Sequence, residues 1–252
     1  MAQRLAKMVY AGVGEMTLDL IIPYLDESHI PRGREAGARS GLPISPHFIL
    51  GSGGPLVAMQ EGFEKSQADV LAYLHSDVVV HEQGWGVRVL KQFEDPAVAI
   101  VGFGGSLWHG SPDIYKVPYH ISQLGRSYYM SNTDDAEVHG ARFSGEREVA
   151  TVDGFVLCIR RSFLAALGGW PLEHLSFHGY DHWATLNARR AGLRTRVVGI
   201  RCHHLGGLTS VMPQAQAWAA TTRWGSDAEM HAAAHRWLFE EFRDVLPVIL
   251  EA

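Results

Sequence analysis

The stretch Val70–Val80, with the sequence VLAYLHSDVVV, combines a hydrophobic strand with an acid at its end. Apolar and aromatic residues fill both ends of the stretch, and His75, Ser76 and Asp77 interrupt them. Such a short apolar run predicts a strand buried on both faces of a parallel sheet. Ligands of these sheets bind beyond the carboxyl ends of the strands, where Asp77 is expected to lie. Asp77 is therefore a candidate contact for a metal and a phosphate-bearing substrate; the alternative is a turn-capping role.

The composition of the 252-residue chain is that of a globular protein with a sizeable core. Hydrophobic residues make up 46% of it and charged residues 19%. The net charge of −5 argues against a broad nucleic-acid-binding surface. Cys158 and Cys202 supply neither a disulfide framework nor a zinc cluster, so both are predicted to be reduced core residues. No signal sequence and no membrane-spanning run of roughly 18 apolar residues is recognisable, so a cytoplasmic location is expected.

Strands and helices alternate along the first hundred residues. Strands are predicted over Lys7–Val13, His47–Leu50, Val70–Val80 and Val98–Phe103. Helices are predicted over Met16–Leu25, Pro55–Ser66 and Gly84–Phe93, and a loop over Ser28–Ser45. This spacing predicts an α/β fold with a mostly parallel sheet flanked by helices.

Two glycine-rich turns are candidates for phosphate-binding loops. The first, at Gly12, begins like a dinucleotide-binding fingerprint, but Thr17 stands in place of the third glycine. An NAD-dependent oxidoreductase is therefore disfavoured. The second turn, Gly51–Gly54, precedes the helix predicted from Pro55, and its backbone N–H groups would suit an anion. A plain tight turn is the alternative there.

The composition of the chain changes after the strand predicted to end at Phe103. Gly104–Glu148 is polar, aromatic and without periodicity, which favours a substrate-covering loop or an acceptor platform. Strands are then predicted over Glu148–Arg160, broken at Asp153, and over Arg194–Ile200. Helices are predicted over Ser162–Leu167, Asp181–Ala191, Pro213–Trp224 and Asp227–Leu250.

Three groups of residues, far apart in the sequence, together provide the side chains that a metal-assisted displacement reaction needs. Asp77 follows one strand, Asp181 begins a helix, and His203 and His204 follow another strand. An acid and an imidazole can hold a divalent ion that clamps a diphosphate, and mixed oxygen and nitrogen ligands suit Mn²⁺, with Mg²⁺ also compatible. A second acid, Asp181, can take the proton of an incoming hydroxyl. The alternative for Asp181 is a simple helix N-cap.

The order of these motifs resembles the nucleotide-sugar glycosyltransferases of the GT-A fold. ADVLAYLHSDVVV (residues 68–80) is similar to their strand and DxD-type motif, in the family-2-like branch where the motif reads His-x-Asp. The segment from VDGFVLCIRRSF to RTRVVGIRCHHLGG (residues 152–207) is similar to the second half of that family. The resemblance implies a GT-A-like sheet with C-terminal helices. It covers roughly residues 45–103 and 150–210.

The resemblance also implies roles for single residues. Asp77 corresponds to the acid that binds metal and diphosphate, with His75 at the first motif position, and His204 or His203 to the metal-binding histidine. Asp181 corresponds to the general base of inverting members. The donor is expected to contact Ala11, Gly12, Gly51, Ser52, His75, Ser76, Asp77 and Asp153. Trp170 and Tyr180 are expected to contact the acceptor.

The chain departs from the family pattern at three places. The second strand ends in Gly51 and Ser52 instead of a base-reading acid, so UDP is only the default nucleotide. Tyr180 replaces the first acid of a common Glu-Asp pair, and His75 replaces a metal-binding acid, which increases the importance of the histidine pair. Inversion is favoured by the presence of a base, and retention stays open.

The expected protein is a single GT-A-like catalytic domain over residues 1–252. It divides into a nucleotide-binding half (about 1–103), an acceptor loop (about 104–148), a catalytic second half (about 149–210) and a C-terminal helical region (211–252). The acceptor is expected to be a glycan or another hydroxyl-bearing molecule, and a modified DNA base is a less favoured alternative. A non-catalytic sugar-nucleotide-binding or scaffold protein is the alternative from a different class.

Overall fold

The computed structural model describes residues 16–110, 128–131, 141–205 and 212–250. The predicted strand at Lys7–Val13, with Ala11 and Gly12, lies outside these residues. The strands are β1 Leu18–Tyr24, β2 His47–Leu50, β3 Val70–Leu74, β4 Val78–Val80, β5 Val98–Gly102, β6 Gly104–Ser106, β7 Trp108–His109, β8 Tyr128–Ser131, β9 Ala141–Phe143, β10 Glu146–Val149, β11 Thr151–Val152, β12 Val156–Arg160, β13 Arg194–Val198, β14 Cys202–His204 and β15 Val248–Ile249. The helices are α1 Ile30–Ala38, α2 Pro55–Lys65, α3 Trp85–Phe93, α4 Arg161–Ala166, α5 Tyr180–Arg190, α6 Pro213–Thr221 and α7 Asp227–Glu241, with a 3₁₀ turn at Glu27–His29.

A seven-stranded sheet in the order β10-β13-β5-β12-β3-β1-β2 forms the centre of the fold. The strands β2, β1, β3, β5 and β13 share one direction, and β12 and β10 run against them. The expectation of a mostly parallel sheet flanked by helices is confirmed. Because β12 lies between β3 and β5, a strand from the second half of the chain completes the sheet begun by the first half.

Hydrophobic clusters cover both faces of the sheet. One contains side chains of α2, α4, α5 and α7, and the other contains side chains of α1 and α3. All five residues of β3 are buried, as expected of a strand covered on both faces. In α3, Trp85, Val89 and Phe93 recur every four residues and are buried, which gives this helix one apolar stripe facing the sheet.

Two predictions about the N-terminal part are wrong. Leu18–Tyr24 is a strand and not a helix, and Ser28–Ser45 contains helix α1 instead of being a continuous loop. In β1, the aliphatic side chains alternate between the two clusters, Leu20 and Ile22 entering one and Ile21 the other. Burial on both faces therefore produced an apolar run that also fits a helical stripe.

The structure also differs from the prediction in the C-terminal region and in the expected acceptor loop. Helix α7 ends at Glu241 rather than Leu250, because the chain returns to pair Val248–Ile249 with β7. In the described parts of residues 104–148, β6, β8 and β9 join β11 in a four-stranded sheet. No helix of the described residues is long and apolar enough to cross a membrane.

Candidate active site

Three side chains meet at the carboxyl end of β3. His75, Asp77 and His204 each offer one possible ligand atom, and these atoms all lie within 4.8 Å of one another. His75 and Asp77 belong to the short connection between β3 and β4. His204 arrives from far along the sequence because β14 pairs antiparallel with β4, which places His204 opposite Val78. The predicted convergence of Asp77 with a histidine is therefore present in the structure.

Asp77, which is buried, and His204, which is partly buried, lie close enough to influence each other's pKa. Asp77 Oδ1 lies 3.5 Å from His204 Nε2, and the aspartate is 3% exposed. Burial raises the pKa of Asp77, but the hydrogen bond from His204 and the charges of both histidines outweigh it and lower the pKa to about 2. Burial also lowers the pKa of His204, yet the hydrogen bond and charge of Asp77 raise it overall. Both shifts favour an ionised carboxylate at the site.

His75 occupies a different electrostatic environment. Burial, followed by the charge of His204, lowers the pKa of His75, which favours the neutral imidazole with its free lone pair. Its Nε2 lies 2.7 Å from the Tyr180 hydroxyl, and its backbone N–H donates to the Phe155 carbonyl at 3.0 Å. A neutral imidazole, an ionised carboxylate and a second histidine form a donor set that fits Mn²⁺ chemically.

The two adjacent histidines of β14 are distinguished by the alternation of side chains along a strand. His204 faces Asp77, and its ring stacks on Phe155 with a centroid distance of 4.9 Å and an interplanar angle of 13°. His203, opposite Val79, projects to the other face of the β4–β14 pair. The structure therefore places His204, and not His203, in the candidate metal site.

A cavity of about 560 Å³ opens onto these three side chains. The predicted site residues that line it are Gly51, Ser52, His75, Ser76, Asp77, Tyr180 and His204. Gly51 and Ser52 lie at the end of β2, and Ser76 Oγ is 2.9 Å from His29 Nδ1. The ends of parallel strands thus meet around one cavity, as the strand directions predict.

Three other predicted residues are absent from the described lining of the cavity. Asp181 Oδ2 accepts the Gly154 N–H at 3.0 Å, and Oδ1 accepts the His182 N–H at 2.9 Å. Asp153 Oδ1 accepts the Phe155 N–H at 3.2 Å. Trp170 is 5% exposed, and its indole N–H donates to the Tyr73 hydroxyl at 3.2 Å. Asp153 and Asp181 thus brace the turn before β12, and Trp170 packs against Tyr180.

The end of β1 contributes lining residues that the sequence reasoning missed. Tyr24, Leu25 and Asp26 line the cavity, together with His29 of the following turn. Asp26 accepts the Ser28 N–H at 2.8 Å, and this hydrogen bond is the largest of the interactions that lower the pKa of its carboxyl group. The signal that could have identified β1 was Pro23, because proline disfavours a helix interior. Pro23 directly follows a β-branched pair at positions 21 and 22, which favours a strand.

The C-terminal region closes another side of the cavity. Met212, Gln214, Ala215 and Trp218 line it from α6 and the residue before it. Trp218 packs so closely on Gly54 that a Cβ there would lie 2.4 Å from the indole ring. His178 and Asp227 also line the cavity, with Nε2 and Oδ1 2.8 Å apart. No sequence motif marked these residues.

The comparison with protein families identifies the class. Residues 54–242 match the family described as "Glycosyltransferase like family", so the chain belongs to this family. The match covers β3 and its His-x-Asp motif, helix α5 and strand β14. The predicted membership of a glycosyltransferase family is therefore confirmed, and the class of enzyme is that of glycosyltransferases, whereas the His-x-Asp version of the motif stays a prediction. No curated protein matches the chain significantly.

Solved structures give a more distant likeness. Staphylococcus aureus TarS residues 1–349 is 12% identical, with a TM-score of 0.49 over 91% of this chain and 74% of that one. The mannosyltransferase PcManGT of Pyrobaculum calidifontis, in complex with GDP-Man and Mn²⁺, is 12% identical, with a TM-score of 0.46 over 94% and 75%. GalNAc-T7 with UDP, GalNAc and Mn²⁺ is 11% identical, with a TM-score of 0.48 over 92% of this chain and only 57% of that one.

Proposed function

We propose that the chain is a metal-dependent glycosyltransferase that moves a sugar from a nucleotide sugar to an acceptor hydroxyl. The convergence of His75, Asp77 and His204 at the edge of a 560 Å³ cavity carries this proposal. The cavity is large enough for a small substrate. Mn²⁺ or Mg²⁺ is the expected cation and UDP the default nucleotide. The donor would lie along Gly51, Ser52 and Ser76, as the family resemblance implies.

The bound cation would neutralise the charge that develops on the departing diphosphate. Asp181 is the proposed general base, which accepts the acceptor's proton while the hydroxyl oxygen attacks the anomeric carbon and the bond to the diphosphate breaks. Its two hydrogen bonds from backbone N–H groups orient the carboxylate and leave further lone pairs on both oxygens. Attack opposite the leaving group inverts the anomeric centre. The acceptor would approach beside Tyr180 and above Trp170.

Donor hydrolysis tests this function directly. UDP-, GDP-, dTDP- and CMP-sugars would be incubated with Mn²⁺ or Mg²⁺, and free nucleotide would be measured for the wild type and Asp77→Asn. We expect metal-dependent release from one donor and at least a tenfold slower release by the variant, since removing a metal ligand weakens the stabilisation of the leaving group. Glu94→Gln, an exposed acid after α3, is the matched control and should behave as wild type.

A binding-only protein is the second candidate, and the position of Asp181 favours it. Both carboxylate oxygens bind backbone amides, and Asp181 is absent from the described lining of the cavity. This candidate predicts metal-dependent binding of one nucleotide sugar without release, and equal binding by Asp181→Asn. Turnover that falls at least a hundredfold in Asp181→Asn, with unchanged donor affinity, would exclude it. Failure of every donor to bind would contradict both candidates.

A further inference from the structure

A chain of two hydrogen bonds links the candidate metal site to a backbone carbonyl. The Tyr180 hydroxyl lies 2.9 Å from the Gly154 carbonyl oxygen and 2.7 Å from His75 Nε2. A carbonyl can only accept, and the hydroxyl has a single proton to donate. Both contacts are satisfied in one arrangement: the hydroxyl donates to Gly154, and His75 Nε2–H donates to the hydroxyl oxygen.

This arrangement decides where the proton of His75 resides. A neutral imidazole carries one proton, so a proton on Nε2 leaves the lone pair on Nδ1. We propose that Tyr180 is a positioning residue that holds His75 in its Nε2–H tautomer and thereby reserves Nδ1 as the metal ligand. The cation in this inference rests on the proposed function, whereas the tautomer rests only on the hydrogen bonds.

The opposite tautomer, with the proton on Nδ1, conflicts with both contacts of the His75 ring. A proton on Nδ1 would occupy the lone pair that a cation needs. It would also leave Nε2 as an acceptor facing a hydroxyl that already donates to Gly154. Leaving a buried polar group unpaired is costly, so Tyr180 opposes this tautomer.

Tyr180 is itself held in place from several sides. It is 8% exposed, and its ring packs edge-on against Trp170 with centroids 6.0 Å apart. A Cβ at position 154 would lie 2.4 Å from the Tyr180 hydroxyl, so only glycine permits this approach. The Gly154 N–H is fixed in turn by Asp181. Asp181, Gly154 and Tyr180 thus form a continuous support for the His75 ring.

The test is the tautomer of His75 in metal-free protein. ¹⁵N-histidine-labelled wild type, Tyr180→Phe and Tyr73→Phe would be compared by long-range ¹H–¹⁵N correlation, with His75 assigned from the spectrum of His75→Gln. We expect Nε2–H in the wild type and in Tyr73→Phe, and a shift to Nδ1–H in Tyr180→Phe. Tyr73→Phe is the matched control, since it removes another buried hydroxyl that contacts Met59 and Trp170 but not His75.

Mn²⁺ affinity, measured by calorimetry, is the second readout. We expect Tyr180→Phe to bind Mn²⁺ about 10–100-fold more weakly, the usual effect of losing a group that orients a metal ligand, and Tyr73→Phe to match the wild type. A proton on Nδ1 in the wild type would overturn the proposal, even if Tyr180→Phe fails to fold. An unchanged tautomer and affinity in a folded Tyr180→Phe would overturn it as well. The expected tautomers without any Mn²⁺ or Mg²⁺ binding would support Tyr180's control of His75 and overturn the metal-dependent function.

Discussion

A line of five histidines runs between α5, α7 and β7, close to the cavity but separate from the candidate metal site. His109 Nε2 and His182 Nδ1 are 2.9 Å apart. The His182 ring contacts His235, which stacks on His231 at a centroid distance of 4.0 Å. His231 contacts His178, which is paired with Asp227. Positive charges on imidazoles at these separations would repel one another.

The pH dependence of stability follows from His109, which is 1% exposed. Burial, followed by the charges of His182, His235 and Arg189, lowers the pKa of His109 well below its ordinary value of 6.5. The unfolded chain then binds a proton that the folded chain rejects. This contribution to stability is fully present above about pH 6.5 and is lost as the pH falls from there toward the folded pKa.

Urea unfolding at pH 7.5 and 5.5 measures this effect. We expect the free energy of unfolding to fall on acidification, and to fall less in His109→Gln than in the wild type, because glutamine keeps polar groups but does not titrate. His47→Gln, outside the line of histidines, is the control and should retain the wild-type pH dependence. Equal pH dependence in wild type and His109→Gln would contradict the assignment.

At the scale of elements, the decisive junction lies between β12 and α5. The turn before β12 contains Gly154, and α5 begins with Tyr180 and Asp181. Asp181 accepts the Gly154 N–H, and the Tyr180 hydroxyl donates to the Gly154 carbonyl. Gly154→Ala should separate the turn from the helix, since its Cβ would lie 2.4 Å from the Tyr180 hydroxyl. We expect Mn²⁺ affinity to fall about tenfold or more, as measured by calorimetry.

Gly145→Ala is the matched control for Gly154→Ala. Gly145 is an exposed glycine, and a Cβ there would meet Phe143 no closer than 3.4 Å, an ordinary contact. Its Mn²⁺ affinity should equal that of the wild type. Wild-type affinity in a folded Gly154→Ala would show that the junction does not support the site.

Elements with a strong local pattern could be predicted from the sequence. Helices α2 and α5 were predicted within a few residues because a proline start and a glycine end are local signals. The start of β3 was also predicted, but the single strand predicted over Val70–Val80 is in fact two strands, β3 and β4, which belong to different sheets. The N-terminal strand β1 could not be separated from a helix, because burial on both sheet faces removes the alternation. In the site, Asp77 was marked by its strand, whereas the partner of His75 and the lining by α6 and α7 depend on tertiary packing alone.

At the scale of the whole molecule, the candidate metal joins distant parts of the chain. Its ligands lie in the β3–β4 connection and at the end of β14, which are brought together only in the folded state. A ligand that binds only the folded state stabilises it by about 2.7 kcal/mol at 100 times its dissociation constant. For a chain of this size that corresponds to roughly 5–11 °C in Tm.

Thermal unfolding with and without Mn²⁺ checks this expectation. The wild type should show the increase in Tm at saturating Mn²⁺, and Asp77→Asn should show little or none. Glu94→Gln should respond as the wild type does. An equal increase in Asp77→Asn would place the binding of Mn²⁺ elsewhere on the protein.

The placement of β12 between β3 and β5 has a consequence for synthesis. During translation, β3 and β5 leave the ribosome well before Val156–Arg160, the strand that fills the space between them. Until then, each of these apolar strands presents an open edge, the kind of surface that recruits other chains. The nascent protein is therefore expected to be prone to aggregation at this stage. Fragments that stop before residue 156 are expected to aggregate rather than fold as independent nucleotide-binding units.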